Sequence, residues 1–510
     1  GKVLIETPLK KFDDEGASIS MILTGKKSLI DQFDNNVYKY ASVGDSIGLP
    51  FDFTDLYGKI SIASGGGSKF NFFGFNFKDQ YSNPFIAQIG WDNTGFGGDF
   101  LLIPESSSLI IDGVVGYSDY NTSIIEGDNA PRKSAVQEIG GNINFNYYGN
   151  KSEIKYGFDF RAIRTDFEFT NPFNIRLGQN QNTAELGTFV KYKYATERIV
   201  IEPSFRAMYY ASQRRFSPEP RIGLKANLAD RLRFKAAAGI YSQNILSTSN
   251  DNDIVNLFNG FLTGPEEPVR GLDGESISNK LIKASHLVSG FEVDLGSSLT
   301  LNLEGYYKNF SQVLVINRNK LSAQDSDYAV ERGWAYGSDI SLQLTQKKYD
   351  IWATYSLAWA NRDDGKQEFP TVFDRRHNVN FVANYYFDSK KNTSFGLRWN
   401  LGTGFPFTQT RGFYNYQPLS NATSDYLTSN PDLIGTIYSS TRNGGRLPTY
   451  HRLDISLSHK INFTKNTGLE LNVSVVNTYN RENIFYFDRL RYSRVNQLPI
   501  MPALAAKFFF

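Results

Sequence analysis

Metal binding or acid–base catalysis would fall first to the four histidines, His286, His377, His451 and His459. No two of them stand at the spacing of a zinc site, and a chain with no cysteine offers no thiolate to complete one. Capping or interface positions are expected of them instead. Asp251-Asn252-Asp253, with Glu266, Glu267, Asp273 and Glu275 nearby, carries the oxygen ligands that calcium prefers. The full spacing of an EF-hand loop is absent, so solvated loop charge is the better reading. Gly65-Gly66-Gly67-Ser68 leads into no helical pattern and reads as a flexible turn, not a phosphate cradle. No serine, histidine and acid stand in an order that suggests nucleophilic catalysis, so no enzyme activity and no cofactor are expected.

Binding chemistry is better supplied by five cations, Lys155, Arg161, Arg206, Arg221 and Lys225, each set among apolar residues at alternate positions. They either contact an anionic substrate or pair with Glu202, Asp159 and their neighbours to stiffen a wall. Phe258, Phe261, Phe413, Tyr414 and Tyr416 lie in long connections. There they either grip a ligand or pack together over a mouth, packing being the preferred reading.

The elements that must position these residues are strands. Leu299, Leu301, Leu303, Gly305 and Tyr307 interleave with Thr300, Asn302, Glu304, Tyr306 and Lys308, and Leu469, Leu471, Val473 and Val475 alternate with Glu470, Asn472 and Ser474. Period-2 alternation gives each strand two faces. One face here is apolar and the other carries charges that no dry core accepts, which is the pattern of a transmembrane β-barrel. Strands are predicted near Ser18–Thr24, Glu153–Arg164, Ile199–Tyr210, Arg221–Leu228, Leu299–Val313 and His377–Tyr386, about 21 in all along residues 1–510. Parity turns Tyr156, Phe158, Phe160, Ile201, Phe205, Ile222 and Leu224 to lipid. It turns Lys155, Asp159, Arg161, Glu202, Arg206, Arg221 and Lys225 to the lumen, because a mid-depth Arg or Lys on the lipid face costs about 2–4 kcal/mol.

Composition agrees: 30 Tyr and 40 Phe in 510 residues suit a barrel with aromatic girdles, and no run of 18 apolar residues suggests a spanning helix. A net charge of +2 gives no reason to expect a nucleic-acid partner. Ala229–Arg231, Gly296–Ser298, Lys347–Tyr349 and Thr464–Gly468 read as tight turns, against long connections at Ser242–Lys280, Asp363–Asp374 and Thr408–Pro448. Outer-membrane barrels keep short turns in the periplasm and long loops outside, so the long connections face outward.

The last third carries Phe373-Asp374-Arg375-Arg376-His377-Asn378-Val379-Asn380, Gly404-Phe405-Pro406-Phe407-Thr408, Arg446-Leu447-Pro448-Thr449-Tyr450-His451-Arg452-Leu453-Asp454 and Leu471 to Asn480. Arg332-Gly333-Trp334-Ala335 opens an earlier strand, and Phe508 and Phe510 close the chain at alternate positions. In this order the motifs resemble the closing strands of TonB-dependent outer-membrane receptors of the Bacteroidetes type. The resemblance covers roughly Tyr328 to Phe510, and earlier strands match in texture. It implies a 22-stranded barrel around an N-terminal plug, which an inner-membrane TonB-type energiser pulls to admit a ligand. Gly1–Leu9 and Ala17–Asp31 then look like the second and third strands of such a barrel, with the plug and first strand missing or on a separate chain. The implied function is uptake of a siderophore, cobalamin, oligosaccharide or peptide across the outer membrane of a Gram-negative bacterium. The lumenal cations would then face a substrate or the acidic side of a plug. A structural barrel binding a surface lipoprotein or other envelope proteins, and a passive diffusion channel, are the alternatives.

Overall fold

The structure is a computed structural model. It describes residues 1–11, 16–41, 48–83, 87–105, 107–126, 131–170, 176–248, 254–255, 257–317, 320, 324–415, 434–489 and 492–510. Its wall strands are β1 (Lys2–Lys10), β2 (Ala17–Lys27), β3 (Phe51–Ser64), β4 (Lys69–Asn83), β5 (Ala87–Leu102), β6 (Leu109–Ile125) and β7 (Arg132–Tyr148). There follow β8 (Ser152–Thr170), β9 (Arg176–Ala195), β10 (Ile199–Tyr210), β11 (Arg215–Ala229), β12 (Leu232–Gln243), β13 (Ile282–Asp294) and β14 (Leu299–Ile316). The last are β15 (Tyr328–Thr345), β16 (Tyr349–Asp363), β17 (His377–Tyr386), β18 (Thr393–Gly402), β19 (Tyr450–Asn462), β20 (Gly468–Val476) and β21 (Met501–Phe509). Each pairs antiparallel with its neighbours in the chain. A three-residue piece, Glu368–Pro370, extends the outer end of β16 and completes the 22 strands of the sheet.

The predicted strand ends at Ile199, Tyr210, His377 and Tyr386 are the observed ones. Two strands were not singled out, Phe51–Ser64 and Ala87–Leu102. The predicted second segment, Ala17–Asp31, is corrected: the strand stops at Lys27 and a helix, α1 (Ile30–Val37), follows. The Ser28 hydroxyl accepts from the Ile30 N–H and Asp31 sits in the first turn, both signals of a helix start.

Observed parity matches the sequence pattern. Phe158, 57 % exposed, and Phe160, Phe205, Ile222, Leu224, Leu287 and Leu303 form an outward apolar band that only hydrocarbon satisfies. Phe158→Arg is expected to cost about 2–4 kcal/mol of barrel stability in lipid vesicles, measured by urea unfolding, while the same change at inward-facing Ser204 costs little.

Wall height is uneven. A tilted strand crosses hydrocarbon in about 9–11 residues. β8 and β9 have 19 and 20, whereas β20 and β21 have 9 each. The surplus lies on the side of the long connections. There the outward row Phe72, Phe96, Tyr117 and Ile139 gives way to Lys78, Asp92, Asn121 and Asp166, marking the upper limit of the lipid band.

No ladder joins β1 to β21 among the described residues. Because directions alternate from β1 to β21, these two edges run the same way and cannot pair antiparallel with each other. The connection after β2 crosses between them at the outer rim. There the Tyr38 hydroxyl donates to the Pro502 carbonyl at 2.8 Å and the Tyr40 hydroxyl donates to that of Ile500 at 2.7 Å.

Candidate functional site

The lumenal cations sit on β8, β10 and β11, and the wall brings three of the five against carboxylates. Arg161 reaches Glu185 at 2.7 Å, Arg206 reaches Asp159 at 2.7 Å, and Arg221 reaches Glu219 at 2.6 Å while lying over the Tyr241 ring. Glu202 pairs with Lys191 at 2.8 Å, not with any of the five. Lys155 stands opposite Lys191, and Lys225 opposite Lys235; neither forms an ion pair among the described residues. Glu185 and Glu219, both buried, were not singled out from sequence, although each shares the inward parity of its arginine.

Above this belt one connection packs inward as a lid against the wall. The connection of residues 244–281 folds into the barrel as two small hairpins, Ile245–Ser247 with Phe261–Thr263 and Val269–Arg270 with Ser276–Ile277. Its Leu246, Phe258, Leu262 and Val269 form one dry core with Ile89, Ile124, Phe167 and Leu177 of the wall and with Leu314 and Tyr328 from the facing strands. Burial contributes about 1.5–3 kcal/mol for each such side chain. Polar pairs fix the register of this lid. The Ser134 hydroxyl accepts the Phe261 N–H at 2.8 Å, Thr263 donates to Gln181 at 2.9 Å, and Asn244 donates to Thr183 at 3.2 Å. A third hairpin, Ile484–Asp488 with Ser493–Asn496, reaches the outer ends of β4 and β6. Its Tyr486 hydroxyl donates to Glu126 at 3.1 Å and Phe485 packs on Tyr81.

The wall of β4–β10 carries an open hollow of about 640 Å³. Its aromatic rings lie across glycines of the next strand: Phe73 over Gly97, Phe75 over Gly95 and Phe189 over Gly157. A Cβ on Gly95 would come within 2.5 Å of the Phe75 ring, so the glycines are what let these rings lie down. Inward glycines paired with aromatics were a signal present in the sequence, but the pairing itself was not.

The loop aromatics divide. Phe258 is buried under the Arg132 guanidinium and Phe261 meets Tyr120 edge-on, whereas Phe413 and Tyr414 are exposed on the hairpin Thr410–Asn415 with Ile434–Tyr438. Tyr416 and Asp251-Asn252-Asp253 lie outside the described residues. Glu267 accepts from Ser326 and from the Asp327 N–H, and Asp273 accepts from the Glu275 N–H. No group of three or more His, Asp or Glu is placed to hold a metal among the described residues. His377, His451 and His459 each share a hydrogen bond with a hydroxyl, of Tyr355, Tyr479 and Thr393 respectively, and His286 packs on Tyr241.

The motifs of the last third converge on one knot at the outer rim. Asp374, with no exposed side-chain surface, takes Arg446, Arg376 at 3.3 Å and the Ala360 N–H at 2.8 Å. Arg446 also donates to the Asp374 and Gly404 carbonyls. Arg375 lies over Phe405 and Tyr450. Asn477 accepts the Arg481 N–H and donates to the Leu498 carbonyl, while its own N–H goes to Asp454. These residues hold loops to strands; the knot is architecture.

No protein-family model matches the sequence, and no curated protein matches it. Solved structures do. The chain is similar over 100 % of its length to the copper transporter OprC (TM-score 0.63, 11 % identity, 77 % of that chain). It is likewise similar to the ferric-catecholate import receptor Fiu of E. coli K12 (0.63, 10 %, 81 % of that chain). The ferric citrate transporter FecA matches at 0.61 with 12 % identity, over 75 % of its own chain. The fold is that of the outer-membrane transporter barrels of Gram-negative bacteria.

Proposed function

We propose that this chain is the barrel of a TonB-dependent uptake receptor. The observation that carries the reading is a 22-stranded barrel into which the connection of residues 244–281 folds, packing a dry core against facing strands. A passive channel gains nothing from a dry lid over its mouth, whereas a receptor that admits solute only when energised requires a closed resting state. The likeness to outer-membrane transporters and the Bacteroidetes-type motifs of residues 328–510 support it. The two parallel edges, β1 and β21, call for one more strand running from periplasm to exterior, because unpaired backbone in hydrocarbon costs several kcal/mol per group. In this reading that strand arrives with the plug through which the energiser acts. The lumenal cations would face the plug or the passing ligand.

The test compares cells with and without the gene for accumulation of labelled ferric chelates, cobalamin, oligosaccharides and peptides, with and without a protonophore. One class is expected to accumulate only when both the gene and the proton gradient are present. Uptake that ignores the gene or the protonophore overturns the reading. The unpaired edges also favour a second reading, a platform completed by a strand from a partner protein. Isolation of the barrel with a stoichiometric partner, and no uptake defect on deletion, would establish that one.

A further inference from the structure

The lid hangs between β12 and β13, and β12 is fastened to the wall unequally on its two sides. Its ladder to β13 runs without a break from Leu232↔Val293 up to Gln243↔Ile282. On the other side the ladder to β11 ends at Arg221↔Gly239, although β11 runs on to Arg215 and β12 to Gln243. Prolines account for the break. The N–H and C=O of a strand residue point to the same neighbour, so a proline spoils one ladder and spares the other. Pro203, Pro218 and Pro220 all sit in the unbroken β10–β11 ladder. Their missing donors therefore belong to the far sides. For Pro203 that side is β9, where pairing skips from Ile201↔Tyr194 to Ser204↔Lys191. For Pro218 and Pro220 it is β12.

Side chains take over where the ladder stops. Glu219, buried, accepts the Ser242 N–H at 2.9 Å and the Ser242 hydroxyl at 2.7 Å. The Tyr210 hydroxyl donates to the Ser242 carbonyl at 3.0 Å, and Gln213 donates to Asn244 at 2.5 Å. At the same place an open hollow of about 740 Å³ lies among Pro203, Pro220, Ala238 and Ile240. The upper end of β12 can thus leave β11 by giving up side-chain contacts and no ladder pair. Across β13 it stays attached to β14, whose register shifts between Lys283 and Ala284, a place where paired strands bend.

We propose that residues 240–243, their partners 282–285 and the lid swing together as one flap, with Gly239 as its pivot and Glu219 as its latch. The inference rests on the uptake reading for its purpose, because it supplies the movement by which a closed barrel admits solute. It requires opposite effects from loosening the latch and from mending the ladder.

The full protein, purified in detergent, carries Thr263→Cys as its one introduced thiol and is labelled with a maleimide in urea below the unfolding range of the wall. Thr263 is buried where the lid meets β8 and β9. Glu219→Ala should raise the labelling rate about three- to tenfold, the worth of about one hydrogen bond. Pro218→Val together with Pro220→Val returns two N–H donors to the seam and should lower the rate by about the same factor. Unchanged mobility of the unheated barrel on denaturing gels shows that the variants fold. A rate unchanged in either variant, or shifted the same way in both, overturns the flap. Opposite shifts without proton-gradient-dependent uptake overturn the uptake reading and leave the flap standing. Gradient-dependent uptake with equal labelling rates does the reverse.

Discussion

Asp374→Ala is expected to lower the stability of the folded barrel by about 1–3 kcal/mol, the cost of taking a buried acceptor away from one N–H and two partly exposed guanidinium groups. Arg446 and Arg376 both turn to this carboxylate, and the Ala360 N–H loses its acceptor as well. Urea unfolding in detergent, followed by the shift in gel mobility of the unheated barrel, measures the loss. Asp374→Asn keeps an acceptor for Ala360 but not the charge, so its loss should be smaller. A value for alanine near zero would mean that the rim is held by its backbone contacts alone. Gly404 belongs to the same knot, since a Cβ there would stand 1.5 Å from the Leu447 carbonyl oxygen. Alanine at this position should damage the same rim by a steric route.

Leu246→Asp should undock the lid without unfolding the wall. Leu246 is 2 % exposed inside the core beneath the mouth, and an ionised carboxylate placed there is stable only if the loop swings into water. These 510 residues carry no cysteine, so an introduced thiol is the single labelling site on the barrel. Thr263→Cys, buried where the lid meets β8 and β9, should resist a membrane-impermeant maleimide added to cells. In the Leu246→Asp background the same thiol should label within minutes. Equal labelling in both backgrounds would show that the lid is already open at rest, and would remove the closed mouth on which the uptake reading depends.

What was legible in the sequence follows where lipid touches the wall. β10 and β17 could be delimited to the residue because their outward positions meet hydrocarbon along nearly their whole length. Arg332-Gly333-Trp334-Ala335 reads as a strand opening, but β15 begins at Tyr328, whose side chain joins the core under the lid where the alternation is lost. β3 was missed for a related reason: Asp52 and Thr54 continue the outward parity of Leu56 and Ile60 above the lipid band, where nothing demands apolar side chains. In β5 the glycines Gly90, Gly95, Gly97 and Gly98 erase the pattern, the last three while making room for rings from β4.

The site was less legible than the wall. Parity assigned Arg161, Arg206 and Arg221 to the lumen, but their partners are settled by register across strands, which one chain read in isolation does not show. Arg161 meets Glu185 from the next strand, and Arg206 meets Asp159 two strands away. The lid was visible only as a long connection containing Phe258 and Phe261. Its dry core joins residues as distant as Ile89 and Tyr328. The terminal motifs pointed to a family through residues that turn out to tie the rim together.

The difference in strand length between β8–β9 and β20–β21, about 10 residues at about 3.3 Å each along a tilted path, raises one side of the cylinder by roughly 20 Å. The result is a parapet whose hydrophilic exterior stands clear of the bilayer. Antibodies and bacteriophages arriving at an intact cell would meet that vertical face before the aperture, making it the natural place to graft an epitope tag without disturbing passage through the pore.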